Sequence, residues 1–319
     1  MSETVIGRPV EVVSAYHCIP GKSCWVRPGR MTFNPSGLCA YVARSPGLRR
    51  GRLVVMTLSS VLVGDDGSPG AAAARTWADA LARAARARVI VATAVDDPGS
   101  VDGVQGRPGE ARELVGPPAP ALLGFAEEIA ADLVVVGRRG AGGFGTLRLG
   151  STAHQVVEHA SRPVAVVPAT TVPAGIGWPF ATVAVGLDSS PAAAAALSWA
   201  VPIAAESSAT VVVVHALEMA PTFAAAGLDE AYGHARGRVE TALEVWCAPL
   251  RDANIEYVTF VDEGGPAGVM LDAIHDRQAD ILVVGRRGPE RFPGMAMGSA
   301  AHRALGFSPC PTVVVPATG

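Results

Sequence analysis

The sequence predicts an α/β protein made of two tandem domains, each a five-stranded parallel sheet with helices on both faces. Three observations carry that expectation. Short β-branched runs alternate with Ala-rich helical stretches along most of the chain, the pattern of parallel strands joined by crossover helices. The segment from Gly137 to Pro168 returns from Gly285 to Pro316 with the same span (168 − 137 = 316 − 285). Each copy opens Gly-Arg-Arg-Gly and reaches Gly-Ser after nine more residues, so the chain is an internal repeat before it is anything else. Finally, 319 residues, 49% of them hydrophobic and 17% charged, are enough for two packed cores.

In the first repeat the elements follow in order. A strand is expected at 60–64 and a helix from about Pro69 to Arg86, with Pro in the first turn. A strand at 88–94 precedes the loop-like Asp-Asp-Pro-Gly-Ser-Val-Asp-Gly. A weak strand near 111–115, a helix from about Pro118 to Ala131, a strand at 132–136, a helix near 151–160 and a strand at 163–167 complete it. The second repeat keeps this order: strand 182–186, helix 191–206, strand 210–216, a long helix at about 228–252, strand 255–261, helix 265–277, strand 280–284, helix 299–305 and strand 312–316. In the long helix Leu243, Trp246 and Leu250 fall on one face. Asp66 to Gly137 is 71 positions and Asp188 to Gly285 is 97, so repeat 1 is 26 shorter, where its second helix should lie. Repeat 1 is therefore expected to lack that helix and to leave part of a sheet face thinly covered.

Both repeated segments point to an anion site. Each follows an apolar run, Leu133 to Val136 or Ile281 to Val284, that reads as a buried parallel strand. Gly137, Gly140, Gly285 and Gly288 then permit positive φ and close backbone approach to a ligand. Gly150-Ser151 and Gly298-Ser299 open helices with Ser at or near the N-cap, where free N–H groups and the dipole favour phosphate. The dipole is worth only about 0.3–1 kcal/mol, so several contacts must combine. The plainer alternative is that Gly-Ser only caps a helix and the glycines only turn the chain.

The pattern G-x2-G-x9-G-S after a strand resembles the ATP-binding signature of the universal stress protein family. The upstream pieces match as well: Val61 to Pro69 and Val183 to Pro191 resemble the family's first strand and its Asp loop. The likeness covers about residues 58–168 and 180–317. It implies Rossmann-like (adenine nucleotide alpha hydrolase-like) domains at 56–170 and 180–319 with a linker at 171–179. It further implies that Asp66 and Asp188 contact the nucleoside end of ATP while Gly137, Gly140, Gly150 and Ser151, and Gly285, Gly288, Gly298 and Ser299, hold the phosphates, with or without Mg²⁺. Asp66 and Asp188 can equally serve as turn or N-cap residues before Pro-started helices, and the two roles can coexist. The family often has a second hydroxyl residue after Gly-Ser; here that place is Ala153 or Ala301. Thr152 offers a substitute hydroxyl in repeat 1, and Ala300 offers none in repeat 2. The family also implies that the last strands, Pro163 to Val167 and Thr312 to Val315, pair between the repeats as an internal pseudo-dimer. Homodimerisation of whole chains is left open.

Other residues carry weaker signals. Arg138, Arg139, Arg286 and Arg287 can reach phosphate or sit as solvated loop charges. His154 and His302 share one position and read chiefly as helix-surface residues. His154 and His159 are five apart and share no helix face, which disfavours a metal pair. Trp77, Trp199, Cys247 and Cys310 read as packing.

Residues 1–55 differ from the rest. They hold eight Lys or Arg against Glu3 and Glu11, three of the five cysteines, and no strand or helix period. They read as a disordered extension or as sequence upstream of the true start near Met56; a basic arm for a partner is the alternative. The net charge of −3 gives no footprint for nucleic acid. No apolar run reaches the ~18–20 residues of a membrane span. Five cysteines without CxxC suit a reducing, cytoplasmic setting. No GxxxxGK loop, GxSxG elbow or metal-ligand cluster is visible, so slow ATP hydrolysis is the most catalysis expected. The expectation is an ATP-binding stress or energy-state regulator acting on an unknown protein partner. A nucleotide-free scaffold of the same fold, or a weak ATPase, is the alternative.

Overall fold

A computed structural model describes residues 11–17, 31–33, 38–44, 58–96, 110–142, 148–171, 177–218, 229–289 and 296–317. Repeat 1 comprises β4 (Ser60–Gly64), α1 (Pro69–Ala85), β5 (Arg88–Val95), β6 (Glu110–Val115), α2 (Pro118–Glu128), β7 (Leu133–Gly137), α3 (Ser151–His159) and β8 (Val164–Val167), after an N-terminal β1 (Glu11–His17), β2 (Met31–Phe33) and β3 (Leu38–Arg44). Repeat 2 comprises β9 (Thr182–Gly186), α4 (Pro191–Ser207), β10 (Thr210–Leu217), α5 (Asp229–Trp246), α6 (Ala248–Asp252), β11 (Tyr257–Glu263), α7 (Pro266–Arg277), β12 (Ile281–Gly285), α8 (Ser299–Phe307) and β13 (Thr312–Val315).

The strands form one sheet in the order β2-β3-β1-β11-β10-β9-β12-β13-β8-β7-β4-β5-β6. Within each repeat the five strands are parallel, as the β-branched runs predict. At the centre β13 and β8 pair antiparallel, Val313 opposite Ala165, so the two repeats meet edge to edge and their strand orders mirror each other. That pairing removes an exposed edge from each repeat. Asp132 accepts from the backbone N–H groups of Ser59 and Ser60 at 2.8 and 2.9 Å, and Asp280 accepts likewise from Ala181 and Thr182 at 2.8 and 3.0 Å. These carboxylates fasten each fourth strand to the start of its first.

Two apolar layers cover the sheet, and each runs through both repeats. One packs α1, α4, α5 and α6 through Trp77, Trp199, Leu243 and Leu250. The other packs α2, α3, α7 and α8 through Leu122, Val156, Met270 and Leu305. Burial pushes the Cys247 thiol up to about 12, against a small opposing pull from Arg251. Burial also pushes Cys310 up to about 11, against the hydrogen bond from Ser308. Both stay protonated at neutral pH and behave as small core residues.

Two sequence expectations change. The long helix at 228–252 is two helices: Pro249 has no N–H and its ring opposes the carbonyl four residues back, so the chain breaks at Cys247 and restarts at Ala248. Residues 1–55 show no period, yet three of their segments are strands. β1 pairs with β3 over seven residues and meets β11 at Ser14↔Thr259. The partner strands and the open edge of β11 supply what local pattern does not, so the expectation of disorder does not hold for these segments. Residues 45–57, including Met56, lie outside the described residues. So do 97–109, on which the missing helix of repeat 1 falls, and most of the linker expected at 171–179. Val89 is half-buried where its counterpart Val211 is fully buried.

Candidate functional site

Strand order reverses between β4 and β7 in repeat 1, and between β9 and β12 in repeat 2. Helices leave opposite faces there and a crevice opens beyond the carboxyl ends of the strands. In repeat 1 the crevice has a volume of about 380 Å³, and Asp66, Gly137, Gly140, Gly150, Ser151 and Thr152 all line it. In repeat 2 the volume is about 410 Å³, and Asp188, Gly285, Gly288, Gly298 and Ser299 line it. The Asp, Gly, Ser and Thr residues that the family resemblance assigns to the nucleotide thus all converge on one of two crevices, each the size of a small-molecule site.

The loops are built alike. Arg138 donates its backbone N–H to Val167 and its carbonyl accepts from Gly150 at 2.9 Å. Arg286 does the same with Val315 and Gly298, the latter at 2.8 Å. These bonds aim the starts of α3 and α8 into the crevices. The N-cap residues are Gly150 and Gly298, with Ser151 and Ser299 the first helical residues, one place later than an N-cap serine. Neither helix has a side-chain cap, so its first N–H groups remain open to a ligand. By contrast, α1 and α4 are closed by Ser68 and Ser190, whose hydroxyls accept from Ala71 and Ala193 at 3.1 Å.

The glycines act differently from expectation. None of Gly137, Gly140, Gly150, Gly285, Gly288 or Gly298 has positive φ. What they lack is a Cβ. A Cβ on Gly137 would lie 2.5 Å from the carbonyl carbon of Gly70, and on Gly285 2.5 Å from that of Ala192. The fourth strand of each repeat therefore ends in backbone contact with the first helix. Tertiary packing, not turn conformation, demands glycine there.

Asp66 and Asp188 both form a turn and face the crevice, so the two readings coexist. Asp66 Oδ1 accepts from Ser68 N–H at 3.1 Å, and Asp188 Oδ1 from Ser190 N–H at 2.7 Å. Burial alone would push the Asp66 carboxyl up, but hydrogen bonds from Ser68 and Ala141 outweigh it and hold the group below its usual range.

The signature arginines divide between two tasks. Arg139 and Arg287 line the crevices, and Arg287 Nε also donates to the Ala296 carbonyl at 2.9 Å. Arg138 and Arg286 cross between repeats, and Arg286 lines the repeat 2 crevice as well. Arg138 donates to the Ser308 carbonyl at 2.8 Å, and Arg286 to the Ala160 carbonyl at 2.6 Å. Each acceptor is the C-cap of the other repeat's signature helix, where a cation also meets the negative dipole end. His154 and His302 meet edge to face across the same junction, 5.5 Å between centroids. Replacing Arg138 and Arg286 together by methionine is expected to lower stability. A hydrogen bond to a charged group contributes about 1.5–3 kcal/mol, so the double variant should unfold at a clearly lower temperature and exchange the β8 and β13 amides faster. An unchanged midpoint and unchanged protection would remove these arginines from the junction's energetics.

Sequence reading did not find His215, Trp246 or Met270, which line the repeat 2 crevice. His215 Nδ1 lies 2.7 Å from the Leu187 carbonyl, and the His215 and Trp246 rings are 5.6 Å apart. Together they make an aromatic wall. The position of His215 at the end of β10 was the one available signal, since strand ends face the crevice; nothing in the sequence joins it to Trp246.

The fold and the two crevices define a doubly wound α/β protein of the Rossmann-like class, duplicated and joined at its last strands. The chain belongs to the universal stress protein family, whose sequence profile matches residues 102–168 and 179–316. A universal stress protein of Mycobacterium tuberculosis is 30% identical over 208 residues, 63% of this chain and 63% of its own length. The chain thus spans less than two thirds of that relative. A second protein of that name from the same organism is 29% identical over 231 residues, 71% of this chain and 76% of its own. Among solved structures, a universal stress protein from Archaeoglobus fulgidus superposes with a TM-score of 0.61 at 18% identity, over 82% of this chain and 100% of its own. That likeness bears on the fold alone.

Proposed function

We propose that this protein binds ATP, with Mg²⁺ carried on the phosphates, and acts in the cytoplasm as a stress or energy-state regulator read by a protein partner. The observation that carries the reading is the repeat 2 crevice, lined by an uncapped helix start at Gly298-Ser299, the Asp188 carboxylate and the His215–Trp246 wall. The residues suit the ligand. Helix N–H groups and Arg287 favour phosphate, a carboxylate can accept from ribose hydroxyls, and an aromatic face suits a purine. Among the described residues no group of three or more His, Cys, Asp or Glu could hold a metal, so Mg²⁺ would come with the nucleotide. No helix of the described residues is long and apolar enough to cross a membrane. The Arg138 and Arg286 cross-links offer a route by which occupancy would shift the junction between repeats, a population shift in the ordinary sense.

The test is nucleotide carried through purification, released by denaturation and identified by chromatography, followed by thermal unfolding with added Mg-ATP. Ligand at a hundred times Kd stabilises by about 2.7 kcal/mol, so a rise of several degrees is expected. Asp188→Ala loses a charge-assisted hydrogen bond and should weaken binding by about ten- to a hundredfold. Wild-type protein that is folded, empty and unmoved by millimolar Mg-ATP would instead fit a nucleotide-free scaffold.

A further inference from the structure

The two crevices differ at the residue after the second signature glycine. In repeat 1 that residue is Ala141, whose N–H donates to Asp66 Oδ2 at 2.8 Å. In repeat 2 it is Pro289, which has no N–H to give. Asp188 Oδ2 accordingly accepts no protein hydrogen bond among the described residues, while Asp188 Oδ1 keeps its bond from Ser190.

The surroundings differ in the same sense. A Cβ on Gly140 would lie 2.3 Å from Asp66 Oδ2, whereas on Gly288 it would lie 3.4 Å from Asp188 Oδ2. The loop of repeat 1 therefore sits closed against its acidic residue and the loop of repeat 2 stands off. Helix α1 supports the closed position. Gly70 admits the Arg139 carbonyl so closely that a Cβ there would be 2.2 Å from it, and Ser68 Oγ donates to that same carbonyl at 3.4 Å. Repeat 2 has Ala192 where repeat 1 has Gly70, and its methyl occupies that space. The His215–Trp246 wall also belongs to repeat 2; at the matching place on β5 stands Thr93, two positions before the strand ends.

We propose that the two crevices are unequal: repeat 2 takes the purine nucleotide, and repeat 1 is latched by its own loop, the Ala141 N–H standing where a ligand hydroxyl would donate to Asp66. This rests on the nucleotide reading above and deepens it. The hydroxyl of Thr152, which alone favours repeat 1, lies at the phosphate end and does not release the latch.

Calorimetric titration of the full chain with Mg-ATP tests this. One site per chain is expected, weakened about ten- to a hundredfold in Asp188→Ala and left unchanged in Asp66→Ala. Ala141→Pro removes the latch donor and should raise the count to two. Pro289→Ala installs the donor in repeat 2 and should weaken its site by about tenfold, the equivalent of roughly 1.4 kcal/mol. Amide exchange gives a readout without ligand: the Ala141 N–H should be protected in the free protein. Two equally tight sites in the wild type, or a single site whose affinity Asp188→Ala leaves unchanged, would overturn the asymmetry and leave nucleotide binding standing. No binding at all by folded wild type would overturn the proposed function and this inference together. The wild-type count and Asp188→Ala decide the matter even where Ala141→Pro fails to fold.

Discussion

Trp77→Ala is expected to be the most destabilising single truncation, at about 3–5 kcal/mol in denaturant unfolding. The side chain is 1% exposed and is the largest of the fully buried ones. It projects from α1 into the apolar layer that continues beneath both repeats, with Trp199 at the corresponding place on α4. The surrounding sheet is held by parallel strands on both sides and can collapse little into the vacated space, so the cavity penalty adds to the lost transfer energy. Because the layer is shared, the unfolding transition should shift as a whole. A loss under about 1 kcal/mol, or a separate early transition of repeat 1 alone, would show that the layer does not couple the repeats.

Gly285→Ala should be nearly as costly for the opposite reason. The added methyl would meet the Ala192 carbonyl carbon, carbonyl oxygen and Cβ at 2.5, 2.7 and 2.8 Å. Two of these atoms are backbone at the start of α4 and cannot rotate away, so either β12 or α4 must shift. Overpacking of this kind costs about 1–3 kcal/mol, occasionally more. The shift would also move the mouth of the crevice, which Gly285 lines together with Gly298 and Asp188. Unfolding without ligand therefore separates two meanings of a signature glycine. A marked loss of stability in the free protein places the requirement in the scaffold; normal stability with lost nucleotide affinity would place it at the ligand.

Much of the fold was legible because it rests on short-range pattern. Strands such as Val61–Val63 and Val183–Val185 announce themselves as apolar runs, and Pro69 and Pro191 mark the helices that follow. The repeat made the site legible twice over, since Asp66 and Asp188, and the two Gly-Ser pairs, recur at matched places. The break at Cys247 follows from Pro249, whose signal competes with a longer apolar stripe that predicts a single helix. The strands of residues 11–44 carry no such pattern, because their hydrogen-bond partners are each other and the edge of β11.

By itself the sequence determined the fold class, the duplication, the order of elements and the set of residues that gather in each crevice. These follow from periodicity, from residue types with narrow backbone preferences, and from a motif read twice. Only the tertiary structure decided what those residues do there. Gly137 and Gly285 make room for a helix start, Arg138 and Arg286 reach carbonyls 170 and 126 residues away, and Ala141 occupies Asp66 while Pro289 leaves Asp188 available. Each of these is a contact between segments distant in the chain. Its sign depends on ångström-scale approach or on one N–H, which no local pattern records.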